Sequence, residues 1–354
     1  MYFNNIILDD MKTIYHDLMD KLDKIEGTKW LISGGGGFIG AYFLDFIDYC
    51  NQNVFKTPAT VICIENYKTG TLDRIKHLQS NENFRFINID ISKTFDIDTD
   101  IDYIVHAASI ASPTFYRKYP IETIETNVWG LKNLLELAKN KNIKSMLFFS
   151  TSEIYGNPTN EYIPTPETYN GNVSCTGPRA CYDESKRLGE TLCVNYCNQH
   201  KLPVKIVRPF NVYGPGLRID DKRVIPDFFH DAFQANNINI LSDGAPTRSF
   251  CYISDAVSGF LRALLSDCDG EAFNIGNDEI EISMIDLAEM VADIVGNTTV
   301  EYNRSSESEY LIDNPQRRCP DLSKAKRLIG YKPHISLDEG LKKLKDWYRH
   351  TYNI

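Results

Sequence analysis

The stretch that most constrains the fold is "KWLISGGGGFIGAYFLDFIDYC". A short apolar run stops at four glycines, and an apolar-periodic run resumes at once. Gly34, Gly37 and Gly40 are spaced G-x-x-G-x-x-G. Glycine permits a tight strand-to-helix turn and lets the backbone approach a ligand closely. The helix that follows would present free N–H groups and a positive dipole end to a phosphate. The apolar run "ATVICIE" comes next and ends in Glu65. A carboxylate there can accept both ribose hydroxyls of NAD and would repel the 2′-phosphate of NADP. Lys68 is the only base nearby in "ENYKTG", so the spacing favours NAD.

Further apolar runs follow: "NFRFINID", "DYIVHAA", "SMLFFS" and "VKIVRPF". Helical patterns separate them, as in "IETIETNVWGLKNLLELAKNK" and a run from about 182 to 200. Strands alternating with helices predict an α/β, doubly wound parallel sheet. Asp90, at the end of the third strand, is placed to reach an adenine. Residues 1–27 predict an amphipathic helical extension, with Met11, Ile14, Leu18, Leu22 and Ile25 on one face and Gly27 ending it. Residues 28–212 form the main dinucleotide-binding domain in this reading. From 213 to 354 the texture changes to short elements, turns and scattered arginines, predicting a smaller substrate lobe with interleaved segments.

Composition excludes several classes. A net charge of −10 disfavours nucleic-acid binding. No run approaches the roughly 18 apolar residues of a membrane span, and the acidic N-terminus does not read as a secretory signal. The nine cysteines are scattered without a CxxC pair. Cys193 and Cys197 lie one helical turn apart, but no histidine cluster accompanies them, so no metal site is expected. Reduced thiols predict a cytoplasmic protein.

Two motifs carry chemistry. "STSEIYG" crowds Ser150, Thr151, Ser152 and Glu153 at the end of a buried strand. "ACYDESKR" places Tyr182 and Lys186 four apart, on one helix face. An ammonium beside a phenol favours the phenolate, which can then move a hydroxyl proton while hydride moves to a nicotinamide.

With "GGGGFIG", "HAAS", "NVWG", "RPFNVYGPG", "TRSFCYISDA" and "NPQRRCPDLSKAK", these motifs resemble the extended short-chain dehydrogenase/reductase family across nearly the whole chain. The resemblance lies in its nucleotide-sugar branch and is strongest to the UDP-glucuronate decarboxylases. It implies a Rossmann fold, a smaller C-terminal substrate lobe and bound NAD, a nucleotide-sugar substrate and a homodimer formed through helices of the Rossmann lobe. It implies Thr151, Tyr182 and Lys186 as the catalytic triad, with Asn127 supporting the wall. Ser152 and Glu153 would face the substrate carboxylate, and repulsion from Glu153 would be relieved as CO2 leaves. Arg318 would assist decarboxylation or reprotonation and also bind substrate. Asn211, Arg223 and Arg248 would hold the pyrophosphate, and Arg317 would be a surface charge. Cofactor contacts would extend to Phe38, Ile39, Asn66, Ile91, Ala107 and Ala108. The chain departs from the branch at Gly216, where an arginine is usual, at Leu241 and Ser242 beside the base, and at Glu65 in place of aspartate. CDP, GDP and dTDP therefore stay open beside UDP. The rival readings are a 4-epimerase, 4-oxidase or dehydratase, and a non-catalytic NAD-binding regulator.

Overall fold

The computed structural model describes residues 3–303 and 315–354. Asn314, which opens the "NPQRRCPD" stretch, lies outside them. Seven strands form one sheet: β1 (Lys29–Ser33), β2 (Thr60–Glu65), β3 (Phe84–Asn88), β4 (Tyr103–His106), β5 (Ser145–Phe149), β6 (Val204–Pro209) and β7 (Ala272–Ile275). The strand order is β7-β6-β5-β4-β1-β2-β3. Every neighbouring pair is parallel. Strands β4 and β5 are buried throughout and β1 nearly so, as a sheet covered on both faces requires. The chain runs outward from β1 to β3, then returns to start β4 on the other side of β1. That reversal opens a crevice at the carboxyl ends of β1 and β4, the usual ligand position in such sheets. The "GGGGFIG" loop and Ala107–Ser109 both lie there.

Six strands fall where the apolar runs predict them. The seventh, β7, comes from far down the chain and pairs with β6. Its four residues, "AFNI", are too short to stand out from the turn-rich texture around them.

The N-terminal helix α1 (Asn5–Asp17) begins at an Asn4 cap, whose side chain accepts from the N–H groups of Ile6 and Ile7. It ends well before Gly27, which corrects the longer helix predicted from periodicity. Arg262 donates to the Asp17 carbonyl, satisfying a group that a continuing helix would have used, and also to the Asp20 carboxylate. The apolar face is as expected: Met11, Ile14, Leu18 and Ile25 are fully buried, though Leu22 is only partly covered.

Helix α2 (Phe38–Asn53) follows the glycine loop. Residues 120–141 are helical throughout, but Glu125–Gly130 takes the wider π turn before α3 (Leu131–Lys141). Such insertions often mark functional sites. Helix α4 (Ala180–His200) carries Tyr182 and Lys186. The other lobe is built on α5 (Val224–Ala235) and α7 (Met284–Val295). A small sheet there joins Ile282–Ser283, Thr247–Arg248 and Arg317–Arg318. Between these two helices in sequence, α6 (Ile253–Leu264) packs on the large sheet instead.

Candidate active site

A cleft of about 870 Å3 lies between the sheet's carboxyl edge and the smaller lobe. It is lined by Thr151, Ser152, Glu153, Tyr182, Lys186, Asn211, Arg223, Arg248 and Arg318, so six separated stretches of the chain converge on one surface. A second, narrower slot is lined by Gly34, Gly37, Glu65, Asn66, Asp90, Ile91, Ala107 and Ala108.

The narrow slot fits a dinucleotide. Gly34 has φ +80°, and a Cβ on it would meet the Ala108 backbone at 2.6 Å. A Cβ on Gly40 would meet the Gly34 carbonyl at 2.2 Å. The loop therefore packs as closely as glycine allows, with Gly37 capping α2 so that the helix's first N–H groups face the slot. Phe38 and Ile39 form the first turn of α2, and Ile39 reaches the wide cleft. Glu65 is buried and accepts from the N–H groups of Gly36 (3.0 Å), Asn66 (3.1 Å) and Tyr67 (3.2 Å). Burial raises its carboxyl pKa, against these three bonds. The longer glutamate thus ties the loop together as well as facing the slot. Asp90 is exposed and accepts from the Ser92 N–H and hydroxyl. Lys68 is taken up by Glu122 at 2.9 Å.

In the wide cleft, Thr151 caps the short turn Ser152–Tyr155 and accepts from the Glu153 N–H at 3.2 Å. Its hydroxyl also lies close enough to the Tyr182 phenol to oppose the effect of burial on that group. Tyr182 is buried, and its ring stacks on Tyr116 at 5.1 Å and 8°. Asn127, in the π turn, accepts from Ser109 (2.7 Å) and donates to Ser185 on α4 (2.9 Å). That bond anchors the helix between the two catalytic candidates.

The expected tuning of Tyr182 by Lys186 is not what the structure shows. Burial pushes the phenol above its ordinary pKa, and the Thr151 hydroxyl is what opposes it. The Lys186 Nζ lies 5.8 Å from the Tyr182 ring centre and donates to the Phe149 carbonyl at 2.7 Å. Burial lowers the Lys186 pKa to about 7. A lysine whose folded pKa is depressed penalises folding below that value, and the penalty is relieved as pH rises from about 7 toward the usual 10.5. Lys186→Met in the NAD-free protein should therefore raise Tm at neutral pH and remove that part of the alkaline rise in stability. Parallel thermal scans across pH check this; matching slopes in both proteins would place the Lys186 titration elsewhere.

Glu153 is the other correction. Its carboxylate is not free to repel anything. Arg318 grips it with both guanidinium nitrogens, Nη2 at 2.6 Å, and Arg179 binds the same carboxylate from α4's cap. Burial alone would raise the Glu153 pKa, but Arg179 and Arg318 overcome it and hold the group down to about 2. Arg179 was not assigned from sequence, although it stands three residues before Tyr182 in "GPRACYDESKR". Its spacing of three on one helical turn is the signal that could have found it. Tyr116 was missed too. Its hydroxyl is buried in the cleft wall without a hydrogen-bond partner among the described residues.

Arg248 and Arg318 are register partners on adjacent short strands. Arg248 donates to the carbonyls of Thr247 (2.7 Å) and Pro315 (2.7 Å), so it also pins the arginine strand. Burial, then the charge of Arg318, lowers its pKa to about 9. Arg223 pairs with Asp221, and Asn211 donates to the Ser249 carbonyl at 2.8 Å. Arg317 is a half-exposed charge paired with Glu281 at 2.6 Å. At Gly216, a Cβ would come within 3.2 Å of Arg74 Nε. The buried Arg74, paired with Asp45, fills the space beside that glycine. Among the described residues, the only grouping with metal-ligand geometry is Asp17, Asp255 and His334, away from Cys193 and Cys197.

Comparison with known proteins agrees with this geometry. The profile of the NAD dependent epimerase/dehydratase family matches residues 30–276. UDP-glucuronic acid decarboxylase 5 of Arabidopsis thaliana is 40% identical over 319 residues, covering 90% of this chain and 89% of that protein. UDP-glucuronic acid decarboxylase 1 of Xenopus tropicalis is 38% identical over 328 residues, 93% of this chain and 74% of that one. Among solved structures, a UDP-glucuronic acid 4-epimerase mutant of Bacillus cereus, in complex with a fluorinated UDP-glucuronic acid and NAD, superposes with a TM-score of 0.75 at 27% identity, covering 92% of this chain and 100% of that one. A Thermotoga maritima UDP-glucose 4-epimerase with UDP-glucose gives a TM-score of 0.78 at 26% identity, covering 92% and 99%. Fold, cofactor cradle and sequence all lead to one assignment: the chain belongs to the NAD-dependent epimerase/dehydratase family.

Proposed function

We propose that this protein decarboxylates a UDP-linked glucuronate to the UDP-linked pentose, with NAD recycled inside each turnover. The observation that carries the reading is the arginine cluster at the cleft's inner end. Arg179 and Arg318 are buried there on the Glu153 carboxylate, with Arg248 in register beside Arg318 on the pyrophosphate side. The Arg318 Nε is buried without a partner among the described residues. An anionic sugar supplies the missing acceptor; a neutral hexose does not. The decarboxylase relatives support the same substrate class.

NAD, held by the glycine loop and Glu65, would supply reversible hydride acceptance for C4. Tyr182 takes the C4 hydroxyl proton, with Thr151 holding that hydroxyl. The resulting 4-ketone is a β-keto acid. Arg179 and Arg318 orient its C6 carboxylate while Glu153 keeps the two guanidiniums apart and in register. The C5–C6 bond breaks, CO2 leaves, and the electron pair passes into the C4 oxygen as an enolate. Thr151 and Tyr182 donate to that oxygen. C5 then takes a proton from Arg318 or from a water it orders. Asn211, Arg223 and Arg248 hold the pyrophosphate, and the base lies beyond them, at the end lined by Leu241 and Ser242.

The reading includes a homodimer in the cytoplasm. Ile121 and Trp129 on the helical stretch 120–141, and Leu188 and Val194 on the adjacent α4, are exposed apolar side chains that a second copy would cover. All nine cysteines are unpaired, which suits a reducing compartment. No helix among the described residues is long and apolar enough to cross a membrane.

The second reading is epimerisation of the same uronate, supported by the structural likeness to the B. cereus enzyme. Incubation with UDP-glucuronate labelled in the carboxyl group decides between them. Loss of label with formation of a UDP-pentose is expected. Turnover with label retained would select the epimerase, and turnover of neutral hexoses alone would exclude both.

A further inference from the structure

We infer that the buried Glu190–Arg208 ion pair is a positioning element that holds Glu153 in register with Arg318. The inference rests on the decarboxylase reading for its consequence, but its geometry stands by itself. The catalytic turn is tied down on both sides by this one pair. On the near side, the Ser150 hydroxyl donates to the Glu190 carboxylate, one residue before Thr151. On the far side, Arg208 Nη1 donates to the Tyr155 hydroxyl at 2.7 Å, two residues after Glu153. The pair itself is bidentate, with Nε to Oε1 at 2.8 Å and Nη2 to Oε2 at 2.6 Å.

The chain of bonds continues to the other half of the site. The Tyr155 hydroxyl donates to Asn274 Oδ1 at 2.7 Å. Asn274, on β7, donates to the carbonyls of Thr165 (2.9 Å) and Asp321 (3.1 Å). The Thr165 N–H donates to the Cys319 carbonyl, and the Asp321 N–H to Thr165, at 2.8 and 3.0 Å. Cys319 to Asp321 directly follow Arg318. One connected network therefore runs from the residue before Thr151 to the residues after Arg318. It crosses α4, β6 and β7 on the way.

Neither Glu190 nor Arg208 lines the cleft, so neither touches substrate. A buried ion pair is often no more stable than apolar groups of the same size. What this pair offers is direction: a planar fork fixes both ends of a short turn, which packing alone would leave free to slide. Displacements of about 1 Å can cost about a hundredfold in rate. The carboxylate–arginine clamp is the part of the site that the displacement would reach, since Glu153 sits inside the tied turn and Arg318 at the network's far end, while Tyr182 keeps its stacking on Tyr116.

The test uses the double variant Glu190→Leu/Arg208→Met, with Arg208→Lys as the milder change should the double variant not fold. Single-turnover mixing with carboxyl-labelled UDP-glucuronate follows NADH absorbance and label release separately. The expected result is oxidation within about threefold of wild type and label release slowed at least about tenfold. Equal slowing of both steps, or of neither, would mean a merely structural role and overturn the inference. A crystal structure of the variant gives a readout independent of the reaction: the Glu153–Arg318 contact should be lost or lengthened. If that contact is intact, the positioning role is wrong. A wild type that releases no label sinks the decarboxylase reading instead, and the crystallographic arm still decides the register.

Discussion

Tyr182→Phe should fold normally and show no NADH absorbance on mixing with UDP-glucuronate. The substitution removes one oxygen from a buried ring that keeps its stacking on Tyr116. Among the described residues, Thr151 is the hydroxyl close to the phenol, so little stability is at stake. The reaction loses its proton acceptor at C4, and general-base contributions are worth about 10²- to 10⁴-fold. Burial raises this phenol's pKa, against the Thr151 hydroxyl and the charge of Arg223. The oxidation step of wild type should accordingly speed up with rising pH, and that dependence should vanish in the variant. Substrate binding, measured by calorimetry, should change little. Residual oxidation within about tenfold of wild type would assign the base to another group.

The first lobe was legible because its signals are local. A glycine loop, alternating apolar runs and a Y-x-x-x-K spacing each depend on neighbours a few residues apart. Such spacings suffice to bring Gly34 and Gly37 to the slot and Thr151 and Tyr182 to the cleft. Strand β7 was not legible, because the four residues "AFNI" become a strand only when β6 lies beside them. The same holds for charge. Nothing near Glu153 in sequence says that Arg179, 26 residues on, and Arg318, 165 residues on, bind its carboxylate. Read alone, that carboxylate invites a repulsive role; with its partners present, it is an anchor. The Lys186 reading failed for a related reason. Helical spacing placed the ammonium on the correct face, but the Phe149 carbonyl and the cost of burial decide its state. Gly216 shows the converse: a missing arginine became intelligible once Arg74 was seen beside it.

Glu153→Gln should be the most damaging single change to the site that leaves Tyr182 in place. The amide keeps the shape and removes the charge that two buried guanidiniums share. Breaking a buried pair from one side costs about 3–5 kcal/mol, because the remaining charge is left without a counter-ion. Tm should fall by several degrees. The acid dependence of stability should change as well. With its pKa held at about 2 against an ordinary 4.5, Glu153 contributes stability above about pH 4.5 that is lost as pH falls through 2. The variant should lack that acid-side loss. Its chemistry should split: oxidation at C4 persists, since Thr151 and Tyr182 are untouched, while CO2 release slows by at least about a hundredfold as Arg179 and Arg318 repel each other and lose their aim. Bound substrate carboxylate can neutralise the freed guanidiniums, so the apparent affinity for UDP-glucuronate should rise even as turnover falls. That combination distinguishes an anchor from a repulsive group: relief of repulsion would also tighten binding, but it would leave Tm unchanged or higher. A variant of undiminished thermal stability that still fails to release CO2 would return Glu153 to a direct role against the substrate.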